Sequence, residues 1–222
     1  MMAEGGAPMN GPPPSYEESL YPSLFNQQTA HSRREENING TPVSSSDQLA
    51  VVIKACDFAA RRHRTQRRKD LLQTPYINHP IGVAHILTSE ANITDLATIT
   101  AAILHDTVED TNTSFEEIEE MFGKEVHDIV KECSDDKSLP REVRKKLQVE
   151  NAPRRSLKAR LVIMADKLYN CRDAERSTPV GWDRSRKLEY MRWAKRVVER
   201  FEPTNKALES ALNEVFSRNL ER

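Results

Sequence analysis

The chemistry of this sequence is concentrated in one short run, His105 to Asp110. His105, Asp106, Glu109 and Asp110 follow the spacing i, i+1, i+4 and i+5, which places them on one patch if the segment is helical. Three carboxylates and an imidazole that lose hydration together are costly unless a cation or a partner offsets their charge. The run therefore predicts a metal ion.

Two residues elsewhere can complete such a site. His79 precedes Pro80, and proline suits the first turn of a helix, so the imidazole is expected at a helix amino terminus. Asp166 follows the apolar run 161–165 and is expected in a buried neighbourhood, where an aspartate is paired, capped or bound to a metal. A histidine at a helix start is by itself more often a cap or a surface residue, but beside the acidic run it becomes a candidate ligand.

The elements that must position these residues are expected to be helices. Apolar residues recur at helical spacing in five segments, 81–91, 94–104, 156–176, 183–201 and 204–220. An earlier helix is expected to bury a stripe that includes Leu49, Val52 and Ile53. Few runs alternate with the period of a strand. We therefore predict an all-α bundle of about eight to ten helices.

Residues 1–46 differ in composition from the rest, since they hold 6 of the 12 prolines and 4 of the 7 glycines. Such a segment cannot bury enough apolar surface to offset its chain entropy, so we predict a disordered tail followed by one folded domain, 47–222. Within 13–24, the string PPSY resembles ligands of WW domains and LYPSL resembles peptides bound by endosomal-sorting adaptors. A tail without a dedicated partner is an equal alternative.

Overall composition excludes several classes. A net charge of −1 argues against general binding of nucleic acid or of anionic membranes. No apolar run approaches the roughly 20 residues of a membrane span, and no secretory signal is recognisable. The 3 cysteines are far apart and read as reduced thiols, so a cytoplasmic protein is expected, with access to the nucleus left open.

A dense basic run occupies 61–69. Cations at a helix end favour the negative pole of the helix dipole, which is one interpretation of the run. Contact with phosphate groups is the other, because the run holds more cations than the dipole requires. Nucleic-acid binding is the weaker interpretation, since no aromatic residues are interleaved.

The candidate metal ligands follow the order found in a known enzyme family. HD-domain metal-dependent phosphohydrolases use four ligands in an order that matches this sequence: His79, His105, Asp106 and Asp166. The strings QRRK at 66–69, PYINHP at 75–80, HDTVED at 105–110 and ADKLYN at 165–170 more narrowly resemble the hydrolase domain of the RelA/SpoT family. The resemblance covers 47–222 and is greatest to the single-domain metazoan SpoT homologues.

The resemblance implies hydrolysis of guanosine 3′,5′-bis(diphosphate) to GDP and pyrophosphate by a water that a metal activates. The family uses Mn²⁺, here expected as one ion per subunit, although the ligand types alone also suit Zn²⁺ and Fe²⁺. Glu109 and Asp110, which are not required for coordination, are expected to orient or deprotonate the attacking water.

Four further residues are expected to bind the substrate. Arg68 and Lys69 match residues that pack on the guanine base, and Asn170 matches one that contacts the nucleotide near its ribose. Tyr190 is expected to border the pocket.

Two alternatives accompany this function. Animal members of the family are also described as removing the 2′-phosphate from NADPH, which the same site would permit. The other alternative is a non-catalytic adaptor that acts through the peptides within 13–24.

Overall fold

The computed structural model describes residues 45–221, and this part of the chain is built from helices. Its ten α-helices and one 3-10 helix (Ala152–Arg154) are, in order, α1 (Ser45–Arg62), α2 (Asn78–Ser89), α3 (Leu96–Leu104), α4 (Thr107–Asp110), α5 (Phe115–Phe122), α6 (Lys124–Cys133), α7 (Arg141–Asn151), α8 (Leu157–Arg176), α9 (Arg184–Val198) and α10 (Lys206–Leu220). The predicted all-α fold is confirmed. Apart from its last two residues, the predicted tail lies outside the described residues, so the tail and its peptide motifs stay predictions.

Side-chain caps fix where the two helices nearest the site begin. Asp95 accepts a hydrogen bond from the backbone N–H of Thr98 at the start of α3. Ser156 does the same for Ala159 at the start of α8. Each cap satisfies an amide that otherwise lacks a partner and stabilises its helix by about 1 kcal/mol.

Helix α3 lies at the centre of the bundle and packs on α1, α2, α6 and α8. Small residues allow this close approach, because Ala101 and Ala102 are fully buried against the surrounding helices. Helix α8 in turn packs on α2, α3, α6, α9 and α10. The end of α3 and the inner face of α8 therefore lie in the interior of the domain.

The run from His105 to Asp110 does not form the single helical patch that its spacing suggested. Helix α3 ends at Leu104, and α4 begins only at Thr107. The Thr107 hydroxyl donates a hydrogen bond to the Leu104 carbonyl over 2.6 Å and so competes with the continuing helical ladder. Asp106, at φ −94° and ψ −6°, adopts the bridge conformation between the two helices.

The apolar stripe predicted for the first helix is partly wrong. Leu49 and Ile53 are 61% and 58% exposed, whereas Ala55, Phe58 and Ala59 face the core. With 3.6 residues per turn, the two groups lie on opposite sides of α1. Only one side meets α3, and the sequence offers apolar residues on both.

Residues 45–221 contain almost no β structure and no candidate membrane-spanning helix. The isolated antiparallel bridge between Arg67 and Pro75 is the single β-type pairing there. None of the helices in this part combines the length and the apolar composition required to cross a membrane.

Candidate functional site

Separate elements bring the four predicted metal ligands together. His79 lies in the first turn of α2, His105 and Asp106 in the turn after α3, and Asp166 in the middle of α8. His79, His105 and Asp166 each present a ligand atom, and these atoms all lie within 4.8 Å of one another. Asp106 Oδ2 lies 3.1 Å from His105 Nε2 and 3.4 Å from His79 Nε2. This mixed nitrogen and oxygen set can hold a divalent metal ion.

Neighbouring donors orient the two carboxylates of this set. The Tyr76 hydroxyl donates to Asp106 Oδ2 over 2.6 Å. Lys167 donates to one Asp166 oxygen over 3.0 Å and Asn170 to the other over 2.6 Å. Outer contacts of this kind fix ligand orientation and tune the affinity of a metal site.

The electrostatics of the cluster fit a bound cation. His105 donates its Nδ1 hydrogen to the Ala102 carbonyl over 2.7 Å, which leaves a lone pair on Nε2. This nitrogen is buried, has no hydrogen-bond partner among the described residues, and faces Asp106 and Asp166. Burial alone would lower the pKa of His105, but the two carboxylates raise it well above its usual range. The two carboxylates thus favour positive charge at Nε2, which a proton supplies in the metal-free protein and a metal ion would supply in its place.

The two carboxylates are held in their charged form. Burial raises the pKa of Asp106, but the imidazole of His105 outweighs it and holds this pKa well below the usual range. Burial has the same effect on Asp166, where the charge of Lys167 outweighs it and again lowers the pKa. Charged carboxylates are the form that ligates a metal.

Glu109 borders the same cavity and is held by the segment that follows α6. Its Oε2 accepts a hydrogen bond from the Asp135 backbone N–H over 3.0 Å, and Arg144 Nη1 lies 3.4 Å from its Oε1. Burial raises the pKa of Glu109, and the charges of Asp135 and Asp106 add to this effect. A carboxylate with a raised pKa accepts a proton more readily than one in solvent.

Asp110 is held from two sides. Gln66 donates to its Oδ2 over 3.0 Å, and the Lys137 ammonium donates to its Oδ1 over 2.6 Å. Asp106 contacts both histidines of the cluster, whereas the contacts described for Glu109 and Asp110 are to residues outside it. The acidic pair and the metal cluster are thus distinct groups that share one cavity.

Two adjoining cavities meet at the cluster. The metal cavity, of about 190 Å³, surrounds the four predicted ligands and the acidic pair, and the side cavity has about 430 Å³. Tyr76, Asp110 and Asn170 border both. Pockets for small organic ligands have volumes of roughly 300–1,000 Å³, so the side cavity suits a nucleoside and the metal cavity suits phosphate groups.

All four predicted substrate-binding residues border the side cavity: Arg68, Lys69, Asn170 and Tyr190. Arg68 donates to Asn170 Oδ1 over 2.7 Å and to Asp173 Oδ2 over 2.9 Å, which fixes the plane of its guanidinium group. Trp182 lies beside Tyr190 with a centroid distance of 5.6 Å and adds a second aromatic wall.

The basic run 61–69 divides between two roles. Arg61 and Arg62 lie in the last turn of α1 and form ion pairs with carboxylates of α1 and α5, so their charges are engaged within the domain. Arg68 and Lys69 instead border the side cavity. Phosphate or base contact is therefore open to the last two residues of the run.

Sequence reasoning gave no role to Tyr76, Lys167 or Trp182. The first two lie within the strings 75–80 and 165–170, Tyr76 three residues before His79 and Lys167 directly after Asp166, so their proximity was available as a signal. Trp182 lies in the connection before α9, and its part in the side cavity depends on tertiary packing alone.

Comparison with known proteins gives two consistent results. The sequence profile of the HD domain family matches residues 55–196. The chain is also 56% identical over 171 residues to the guanosine-3′,5′-bis(diphosphate) 3′-pyrophosphohydrolase MESH1 of Xenopus tropicalis, covering 77% of this chain and 96% of that protein. The human protein of the same name is 56% identical over 169 residues, covering 76% of this chain and 94% of its own length.

A solved structure extends the similarity to the fold. It represents a metazoan orthologue of SpoT, described as hydrolysing ppGpp and playing a role in starvation responses. The two chains superpose with a TM-score of 0.75 at 48% identity, and the match covers 76% of this chain and 95% of the other.

Proposed function

The chain belongs to the HD domain family, in the branch represented by the MESH1 proteins, and from this premise we propose that it hydrolyses guanosine 3′,5′-bis(diphosphate). The reaction releases pyrophosphate from the 3′ position and leaves GDP. The observation that carries the proposal is the junction of a nucleoside-sized cavity with a smaller one that contains a histidine and carboxylate cluster. We assign the activity to residues 47–222.

We assign one divalent ion per subunit to the four clustered residues, His79, His105, Asp106 and Asp166, and propose Mn²⁺ as that ion. Two imidazoles and two carboxylates without a thiolate suit Mn²⁺, although they also accept Zn²⁺ and Fe²⁺. A bound divalent ion supplies positive charge to the phosphoryl group and lowers the pKa of a coordinated water.

The acidic pair takes the proton-transfer and orienting roles. Glu109 has a raised pKa and borders the metal cavity, which suits a general base that accepts a proton from the attacking water. Asp110, fixed by Gln66 and Lys137, orients that water. Neither residue is needed as a ligand.

The guanosine moiety occupies the side cavity in this proposal. The Arg68 guanidinium, held flat by Asn170 and Asp173, stacks on the purine ring. Lys69 packs on the same base, Asn170 lies near the ribose, and Tyr190 closes the pocket wall. The 3′-diphosphate then extends into the metal cavity.

The test uses Mn²⁺-loaded protein supplied with guanosine 3′,5′-bis(diphosphate) and NADPH in parallel. We expect pyrophosphate from the first substrate, and orthophosphate from NADPH would establish the alternative 2′-phosphatase activity. Asp106→Ala should abolish both Mn²⁺ binding and turnover. Asp128→Ala, at a surface aspartate that pairs with Lys124, should change neither. An unchanged rate in Asp106→Ala would refute the metal-site assignment.

We further propose a cytoplasmic location, with the nucleus also accessible. The cysteines at 56, 133 and 171 are all free, as expected in a reducing compartment. A WW-domain protein or an endosomal-sorting adaptor that binds residues 13–24 would localise the enzyme without contributing to its chemistry. Pull-down with each adaptor class, using chains altered at PPSY or LYPSL, tests this proposal.

A further inference from the structure

The metal cavity continues past the metal cluster along a face of α8. The proposed function assigns no role to the residues that line this part of the cavity. Val162 lies one turn before Asp166 on this face and borders the cavity, as do Cys133 and Arg155 further along. At 1.5 Å per residue, about 14 Å separates the backbone of Asp166 from the start of α8 at Leu157. An arginine side chain and a short phosphate chain can together bridge that distance.

Arg155 brings an unpaired positive charge into this part of the cavity. Among the described residues, its guanidinium group makes neither an ion pair nor a hydrogen bond. The other cationic side chain of the lining, Lys167, is already paired with Asp166. Burial raises the pKa of the Cys133 thiol, and Arg155 lies close enough for its charge to oppose that rise.

Glu132, an acidic residue of this lining, is already engaged. Glu132 borders the cavity but accepts a hydrogen bond from the Ser156 backbone N–H over 2.7 Å, and it forms no ion pair with Arg155 within residues 45–221. A partly buried cation without a protein partner, in a cavity that leads to a metal cluster, has the chemistry of an anion-binding group.

We propose that Arg155 binds the distal phosphate of the substrate's 3′-diphosphate, which becomes one end of the released pyrophosphate. This inference rests on the proposed function. Hydrolysis breaks the bond between O3′ and the proximal phosphorus; water supplies a hydroxyl to that phosphorus and a proton to O3′. With the nucleoside in the side cavity and the proximal phosphate at the metal cluster, the distal phosphate points along α8. A guanidinium group there selects a diphosphate over a monophosphate.

The experiment measures binding rather than turnover. Calorimetry on the Mn²⁺-loaded full chain uses pyrophosphate, orthophosphate and GDP as separate probes. Arg155→Ala should weaken pyrophosphate binding about tenfold, the loss expected for a charge-assisted hydrogen bond. Affinities for orthophosphate and GDP should not change, since neither probe places a phosphate at this end of the cavity. Arg155→Lys should retain part of the pyrophosphate affinity.

Arg154→Ala is the matched control, because Arg154 is exposed and does not border the cavity. Undiminished pyrophosphate affinity in Arg155→Ala would overturn the proposal. So would an equal loss for all three probes, which would indicate a general field effect. A selective loss of pyrophosphate binding supports the proposal even if the wild-type chain releases none from guanosine 3′,5′-bis(diphosphate). That second result would refute the proposed function alone.

Discussion

The Tyr76 hydroxyl is the contact whose removal tests the metal cluster most sharply. It donates to Asp106 Oδ2 over 2.6 Å, and Tyr76→Phe removes that hydrogen bond while keeping the ring that packs against His63 and His79. A hydrogen bond to a charged group contributes about 1.5–3 kcal/mol, which corresponds to about 10–100-fold in affinity. The Asp106 side chain is 18% exposed, so water replaces part of the lost contact. We therefore expect a loss in Mn²⁺ affinity at the lower end of this 10–100-fold range, about tenfold.

Calorimetric titration of the metal-free variant with Mn²⁺ measures this loss directly. Tyr169→Phe is the matched control, because the Tyr169 ring also packs against His79, at a centroid distance of 4.9 Å. Its hydroxyl makes no hydrogen bond in residues 45–221, so its removal should leave Mn²⁺ affinity unchanged. The reasoning is refuted if Tyr76→Phe binds Mn²⁺ as tightly as the wild type, or if both variants lose affinity equally.

Three further predictions address the fold, the acidic pair and the tail. Gly82→Ala would place a Cβ 2.1 Å from Tyr169 Cε2 and should destabilise the domain by about 1–3 kcal/mol. In a Tyr169→Ala background the same glycine substitution should cost much less in thermal unfolding, and additive losses would contradict the clash. Burial raises the pKa of Glu109 in the folded protein above its value in the unfolded chain. At a pH between these two values the unfolded chain binds fewer protons than the folded protein, so the free energy of unfolding falls as the pH rises through this range. Glu109→Gln should therefore stabilise the metal-free protein more at neutral than at acidic pH in denaturant titrations, and a pH-independent difference would count against it. Deleting residues 1–43 should leave kcat and KM of the Mn²⁺-loaded enzyme unchanged, and a large drop would give the tail a direct part in the reaction.

Much of the fold was predictable because its signals are local. A helix start depends on a cap and the few residues beyond it, and Ser156 with the apolar stripe of α8 supplied both. At the break between α3 and α4, the Thr107 hydroxyl donates a hydrogen bond back to the Leu104 carbonyl. Hydrophobic spacing carries no information about that hydrogen bond. It also could not decide which side of α1 faces the core, because Leu49 and Ile53 are as apolar as the residues that were buried.

The contacts within the candidate site were less predictable, since they join distant parts of the chain. Tyr76 and Asp106 are 30 residues apart, and Arg68 and Asn170 are 102 apart. No helical or strand period relates such pairs, so only the packing of α2 and α8 on α3 brings them together. The candidate ligands could still be predicted from the acidic run, the expected burial of Asp166 and the resemblance to HD-domain phosphohydrolases, because a buried aspartate requires a partner.

Different parts of the chain hold the metal cluster and the acidic pair. Contacts to the cluster come from Tyr76 and from α3 and α8, whereas Glu109 is held by Asp135 and Arg144, in the segment between α6 and α8. Lys137 of the same segment holds Asp110. A substitution such as Arg144→Met should therefore lower kcat while leaving Mn²⁺ affinity intact. Because that segment contributes no ligand, a coupled loss of metal would mean that the acidic pair and the cluster form a single unit.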